Sequence, residues 1–300
     1  MRFAGSARSK KAPRGVLVLG MHRSGTSAAT GLIHMLGLAT CVPGDMVRGP
    51  WNPNGHFESR SLMHLDNALL AQMGRRWWYP PPAGDGYGAV AESITTTPAE
   101  ARRVFRRAYR RAPWVWKDPR ACVLLPFWRR ALGDRVATVV VFRHPVEVAE
   151  SLQRRHDLPV SFGLALWERY NRLVLQHAAS MPVLTTSYDA LVGDPARWAG
   201  DVRRYLEAVG MRLPDPPGAG DLTGFVDAGL RHSSHERGSL DGAPPGAAAV
   251  YEALLGLRGD ATTFVPPDLP AEAPSVEAEL ATVGPGREPG WRPPPWATGA

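Results

Sequence analysis

The chain has 300 residues, the length of one α/β domain of about 200–250 residues with tails rather than of two large domains. Its composition, 44% hydrophobic and 21% charged, excludes a wholly disordered or fibrous chain, and no apolar run approaches the roughly 18–20 residues of a bilayer span. The net charge of +7 implies an anionic partner without saying which.

Residues 1–15 are basic, rich in Ser and Ala and without periodicity: a flexible tail with no hydrophobic stretch of the secretory kind. A soluble, cytoplasmic protein is therefore expected, with Cys41 and Cys122 reduced and buried. The apolar run 16–20 predicts a strand covered on both faces, and apolar spacing over 26–38 predicts a helix that stops at Gly37. A second helix is expected over 61–73, then an aromatic, Pro- and Gly-rich loop over 75–90. Thr97-Pro98-Ala99-Glu100 is a capping box that opens a helix carrying Arg102, Arg103, Arg106, Arg107, Arg110 and Arg111 opposite Val104, Phe105 and Tyr109. That basic face is either solvated or a dock for an acidic acceptor.

Strands over 114–117, 136–142 and 183–187 then alternate with helices over 122–132, 146–156, 162–179 and from Asp194-Pro195 to just before Gly210. This alternation predicts a three-layer α/β/α fold, P-loop-like, with a central parallel sheet in a single domain over 16–257. From 258 to 300 proline and glycine recur without a core pattern, so this stretch is expected to be a tail, ordered at most as a wrap.

Three motifs carry chemistry. Gly20-Met21-His22-Arg23-Ser24-Gly25-Thr26-Ser27 lies between the first strand and first helix, where glycines permit a tight turn, amides point inward and the helix end adds about half a positive charge. The plain alternative is a strand–helix turn capped by Ser24 or Thr26. A nucleotide-hydrolysing loop would carry lysine where Thr26 stands, so this cradle suits one phosphate with an attached anionic group better than a magnesium triphosphate. Asp118, followed by Pro119 in a turn, does not read as a magnesium-binding aspartate. The second motif is Arg143-His144-Pro145, with Ser151 and Arg155 at i, i+4 spacing on the helix that follows, a set suited to a second phosphate. The third is Trp116-Lys117-Asp118-Pro119-Arg120. Of 35 basic residues 32 are arginine, as in a GC-rich bacterial coding sequence, and Lys117 is the one lysine outside the tail.

The Gly20–Ser27 loop resembles the 5′-phosphosulfate loop of sulfotransferases that use 3′-phosphoadenosine-5′-phosphosulfate (PAPS), in the arginine-containing form of bacterial and tyrosylprotein sulfotransferases. The Arg143–Ser151 arrangement resembles that family's 3′-phosphate motif, and Lys117-Asp118-Pro119 its lysine segment; the resemblance runs over about 16–210. It implies a sulfuryl transferase of the EC 2.8.2 type that needs no metal. The 5′-phosphate would lie on Arg23, Ser24, Gly25, Thr26 and Ser27, and the 3′-phosphate on Arg143, Ser151 and Arg155. Lys117 and Arg23 would stabilise the transferring group, and His22 would shape the loop or touch phosphate. A base for the acceptor hydroxyl, or amine, is sought in Asn52-Pro53-Asn54-Gly55-His56-Phe57-Glu58: Glu58 first, His56 second, Asp45 a distant third. Glu58 could instead cap the following helix or pair with Arg60. Tyr188, in Ser187-Tyr188-Asp189-Ala190-Leu191, is assigned packing. Trp77, Trp78, Tyr79 and Tyr87 either line an acceptor pocket or pack their loop, and 231–237 could close over the nucleotide. The acceptor class stays open: small molecule, carbohydrate, lipid or peptide. Within the same fold the alternative is a P-loop kinase acting on a small molecule; no aromatic–basic interleaving points to nucleic acid.

Overall fold

Short runs rich in β-branched and aromatic residues form the parallel strands. The computed structural model describes residues 12–48, 56–226, 240–286 and 288–290. Its first elements are β1 (Gly15–Leu19), α1 (Thr26–Met35), α2 (Arg60–Gln72), α3 (Gly86–Ala91) and α4 (Pro98–Ala108). Then come β2 (Trp114–Lys117), α5 (Ala121–Leu132), β3 (Val136–Phe142), α6 (Pro145–His156), α7 (Val160–His177) and β4 (Val183–Ser187). The rest comprises α8 (Tyr188–Gly193), α9 (Pro195–Ala208), α10 (Ala219–Phe225), α11 (Pro245–Gly256), β5 (Gly259–Ala261) and α12 (Pro274–Ala281).

The strands form one sheet in the order β2-β1-β3-β4-β5. Its first four strands are parallel, and β5 pairs antiparallel with β4 as an edge strand. Alternation along each strand divides the core in two. Leu17, Leu19, Trp116, Val140 and Phe142 face α5 and α7, while Val16, Val18, Val115, Val139 and Val141 face α1 and α9. The fold is thus α/β in three layers, as the alternation of elements predicts, with one antiparallel edge the sequence pattern does not reveal. Both cysteines are free and buried. Among the described residues no helix is long and apolar enough to cross a membrane.

Two local features show how sequence is accommodated. Pro126 lies inside α5, where its missing N–H would leave the Cys122 carbonyl without its i+4 donor. The ring of His177, kept neutral by burial, donates from Nδ1 to that oxygen at 3.0 Å and replaces the lost bond. The second feature is the stretch that follows residue 258. Here β5 extends the sheet, and α12 lies on α7. Arg169 of α7 is fully buried, with Nε 2.7 Å from Glu272 and an Nη 2.9 Å from Glu277. A third donor of Arg169 reaches the Pro80 carbonyl at 3.0 Å, and Trp78 Nε1 donates to Gly284 O at 2.8 Å. The segment is a strap that ties the 75–90 loop to the body, because a buried guanidinium requires carboxylate and carbonyl partners that only the two segments together supply.

Candidate functional site

β1, β2 and β3 end side by side, so the loops that follow them share one edge of the sheet. After β1 the chain reverses through Gly20 (φ +155°) and Gly25 (φ +85°). A Cβ on Gly20 would stand 2.2 Å from the Val141 carbonyl oxygen, and one on Gly25 would stand 2.2 Å from the Tyr188 ring, so neither position admits a side chain. The Gly20 amide donates to Cys122 Sγ at 3.1 Å, and the Ser24 amide to Met21 O at 3.2 Å. Gly25 is the N-cap of α1, and no side chain caps the helix. The capping role open to Ser24 or Thr26 is therefore not used. Ser24 is buried, and its Oγ has no hydrogen-bond partner among the described residues.

Arg23, itself in the left-handed region at φ +70°, projects from this loop and donates from Nε to Ser151 Oγ at 2.9 Å. The first and second motifs thus meet in one basic site rather than lying apart. Burial and the neighbouring charges of Arg155 and Arg143 push the Arg23 guanidinium down to about 10, and burial also lowers Arg155. Arg143 pairs through Nε with Glu147 Oε2 at 2.6 Å and lies 4.4 Å above the Tyr188 ring. Three guanidiniums crowd this end of the site.

Lys117 ends β2, only 4% exposed, and its three ammonium donors all have acceptors. It forms an ion pair with Glu58 Oε1, and donates to Ser27 Oγ at 3.1 Å and to the His56 carbonyl at 3.3 Å. Phe57 between them has φ +55°, a left-handed turn that aims the His56 carbonyl and the Glu58 carboxylate at the same ammonium. Burial raises the Glu58 carboxyl, but Lys117 and Arg120 outweigh it and hold the group below the ordinary range. Burial and Lys117 push the His56 ring down to about 4, so it is neutral at pH 7.

Among the three candidate bases only Glu58 presents its side chain to Lys117. His56 contributes its carbonyl. Asp45 instead accepts from the Ser59 hydroxyl, from the Ser61 amide at 3.0 Å and from the Ser61 hydroxyl at 2.8 Å, and so secures the start of α2. Ser59 is the cap of that helix, and Glu58 pairs with Lys117 rather than Arg60. Residues Asn52–Gly55 of that motif and the 231–237 segment lie outside the described residues.

The ring of His22 packs 4.7 Å from Trp77 and 5.8 Å from Tyr170. Burial, then Arg120 and Lys117, hold it neutral, and its Nε2 is buried without a hydrogen-bond partner among the described residues. Trp77, Trp78 and Tyr87 are core residues, so the loop aromatics pack rather than line an acceptor pocket; Tyr79 donates to Glu277 at 2.6 Å.

Asp118 and Arg120 of the third motif, with Asp66 and Asn67 of α2, complete the site. Asp118 Oδ1 accepts from the Arg120 amide at 2.9 Å and its guanidinium at 3.0 Å. Arg120 Nε donates to Asn67 at 2.7 Å. Behind them Asp66 takes the Trp128 indole N–H at 2.8 Å and contacts Asp118, carboxyl to carboxyl. Burial raises both acids, and Asp66 rises further beside Asp118. Two neighbouring buried carboxyls share one guanidinium, that of Arg120, which favours a protonated Asp66. Glu147 was visible four residues after Arg143, and Asp66 as a carboxylate among the buried positions of α2. Tyr188, assigned packing, lies against Gly25 and also under the Arg143 guanidinium, a contact across the sheet edge that its own segment does not announce.

No family model matches the chain, and no curated protein sequence matches it. A solved structure, the sulfotransferase domain from the Synechococcus PCC 7002 olefin synthase, is similar over 94% of this chain and 98% of its own, with 18% identity and a TM-score of 0.43.

Proposed function

We propose that the chain transfers the sulfuryl group of PAPS to a hydroxyl, or to an amine, of a small-molecule, carbohydrate, lipid or peptide acceptor. The observation that carries this reading is the convergence at one sheet edge of the glycine loop, the Arg23–Ser151 junction and the Lys117–Glu58 pair. The residues fit the donor. The buried Ser24 hydroxyl has no hydrogen-bond partner among the described residues, and the guanidiniums of Arg23, Arg143 and Arg155 crowd together. When bound, PAPS supplies a sulfur activated by a phosphate leaving group.

The chain's own residues then have distinct tasks. The amides opening α1, with Ser24, Thr26, Ser27 and Arg23, hold the 5′-phosphate, and His22 shapes the loop from behind. Arg143, Ser151 and Arg155 hold the 3′-phosphate, with Glu147 and Tyr188 fixing the plane of Arg143. Lys117, beside Ser27, stabilises charge on the group in transit, and Glu58 accepts the acceptor's proton. In the free chain this carboxylate is held below its ordinary range by Lys117 and Arg120, so it is ionised at neutral pH and able to take a proton. A kinase reading finds no support here: Thr26 stands in place of the phosphate lysine, and one Asp118 oxygen is held by Arg120 while its carboxyl meets Asp66. Calorimetry and thermal shift with adenosine 3′,5′-bisphosphate test the proposal. Binding with thermal protection is expected; no heat and no protection would refute it.

A further inference from the structure

The arginines of α4 have no task in the proposed reaction. Exposed Arg106, Arg110 and Arg111, with Arg14, Arg102 and Arg135, line a cleft of about 340 Å³ between α4, the end of α5 and the first residues of β2 and β3. A second cleft, about 360 Å³, shares Arg14, Ala112 and Arg135 with it and continues to Arg212 beyond α9. No carboxylate lines either one. Arg102 is engaged with the carbonyls of Ala131 and Arg130, and Arg135 with that of Ala12. None of these arginines enters an ion pair among the described residues. The clefts lie where the parallel strands begin, and the Lys117 site lies where they end, about 17 Å away for a five-residue strand.

Uncompensated positive charge repels itself in the free chain, and an anion relieves that repulsion. Two clefts that share Arg14, Ala112 and Arg135 lie side by side along the starts of three strands, a trough-like basic surface that suits an extended chain rather than a point ion. The rings beneath it, Phe105, Tyr109 and Trp114, are 4%, 5% and 7% exposed and offer no open face for stacking bases. Guanidinium matches the planar carboxylate with two parallel hydrogen bonds. We infer that this trough docks an extended acidic segment of a partner protein, held through its Asp and Glu side chains. The inference does not depend on the reaction proposed for the opposite edge.

The test titrates the full chain into a fluorescein-labelled glutamate-rich decapeptide and, separately, labelled oligo-dT, by fluorescence anisotropy at low and raised salt. The peptide is expected to bind more tightly than oligo-dT, and less tightly as salt rises. Arg106→Gln/Arg110→Gln should weaken the peptide about tenfold, two partly exposed pairs. Arg14→Gln/Arg111→Gln, a second pair lining the same cleft, should do the same even if the first pair folds poorly. Arg60→Gln/Arg197→Gln, exposed elsewhere, should change little. Excess adenosine 3′,5′-bisphosphate should not displace the peptide. Tighter binding of oligo-dT, no peptide binding, equal loss in the control pair, or displacement by the bisphosphate would each overturn the inference.

Discussion

Lys117 and Glu58 form the contact on which the site is built, and its energy can be tested apart from any reaction. Lys117→Met keeps the length of the side chain and removes the charge, leaving Glu58 buried with Arg120 as its remaining cation. Removing one member of a buried pair costs about 3–5 kcal/mol. The Glu58 side chain is 13% exposed and keeps Arg120, so the lower end, about 3 kcal/mol, is expected, a fall of about 5 °C in melting temperature for a chain of this length. The pH dependence fixes the cause. In the native chain the Glu58 carboxyl lies below 4.5, so it contributes stability at neutral pH that is lost as pH falls through its folded value. Without Lys117, desolvation dominates, the carboxyl rises, and the variant regains stability as pH falls through that raised value. The gap between the two chains should therefore be widest near pH 7.5 and shrink towards pH 4.5. Lys117→Met/Glu58→Gln should recover most of the loss at pH 7.5, because no unpaired charge remains. Urea melts of the wild type, Lys117→Met, Glu58→Gln and the double variant at both pH values give the coupling energy directly. A loss independent of pH, or a double variant no more stable than Lys117→Met, would refute the reasoning.

Arg143→Ala should weaken adenosine 3′,5′-bisphosphate by tenfold or more, about the value of a charged hydrogen bond, and leave adenosine 5′-phosphosulfate nearly unchanged; paired calorimetric titrations decide this. Asp66 binds its proton more tightly in the folded chain, so wild-type stability should decline as pH climbs from about 4 through the raised value. Asp66→Asn should flatten that decline and be no less stable at pH 7, as urea melts over a pH series will show. Arg169→Met leaves Glu272 and Glu277 without their shared cation and should cost about 3 kcal/mol, read by thermal melting, with faster proteolysis within the strap.

The parts of the fold that were legible are those whose burial is written locally. β1 to β4 are apolar runs between chain-breaking residues, and the expected limits lie within a residue of the observed ones. α1 ends at Met35, just short of the expected stop at Gly37, whose φ of +100° turns the chain and returns its amide to His34 O. β5 was not legible: Gly259-Asp260-Ala261 is short, largely exposed and defined only by its pairing with β4. The strap left half a signal, since an arginine between Trp167 and Tyr170 on a buried helix demands a partner, but nothing local says that Glu272 and Glu277 supply it. The site divides the same way. Loop, arginines and lysine are short motifs at strand ends. The Arg23–Ser151 bond joins residues 128 apart, and the Lys117–Glu58 contact joins residues 59 apart; both follow from strand order, which no local pattern encodes.

That strand order has a chemical consequence for the proposed reaction. Lys117 has three N–H groups, and Glu58, Ser27 and His56 accept all of them. An arriving anion can gain the ammonium only by replacing one of these acceptors, and the carboxylate is the one with charge to exchange. A Glu58 displaced from Lys117 stays buried and loses its main counter-charge, so its carboxyl rises and it becomes the stronger base. The pair that makes Glu58 a weak base in the free chain would thus make it a stronger one once the ammonium is engaged elsewhere, which couples filling of the phosphate loop to activation of the acceptor.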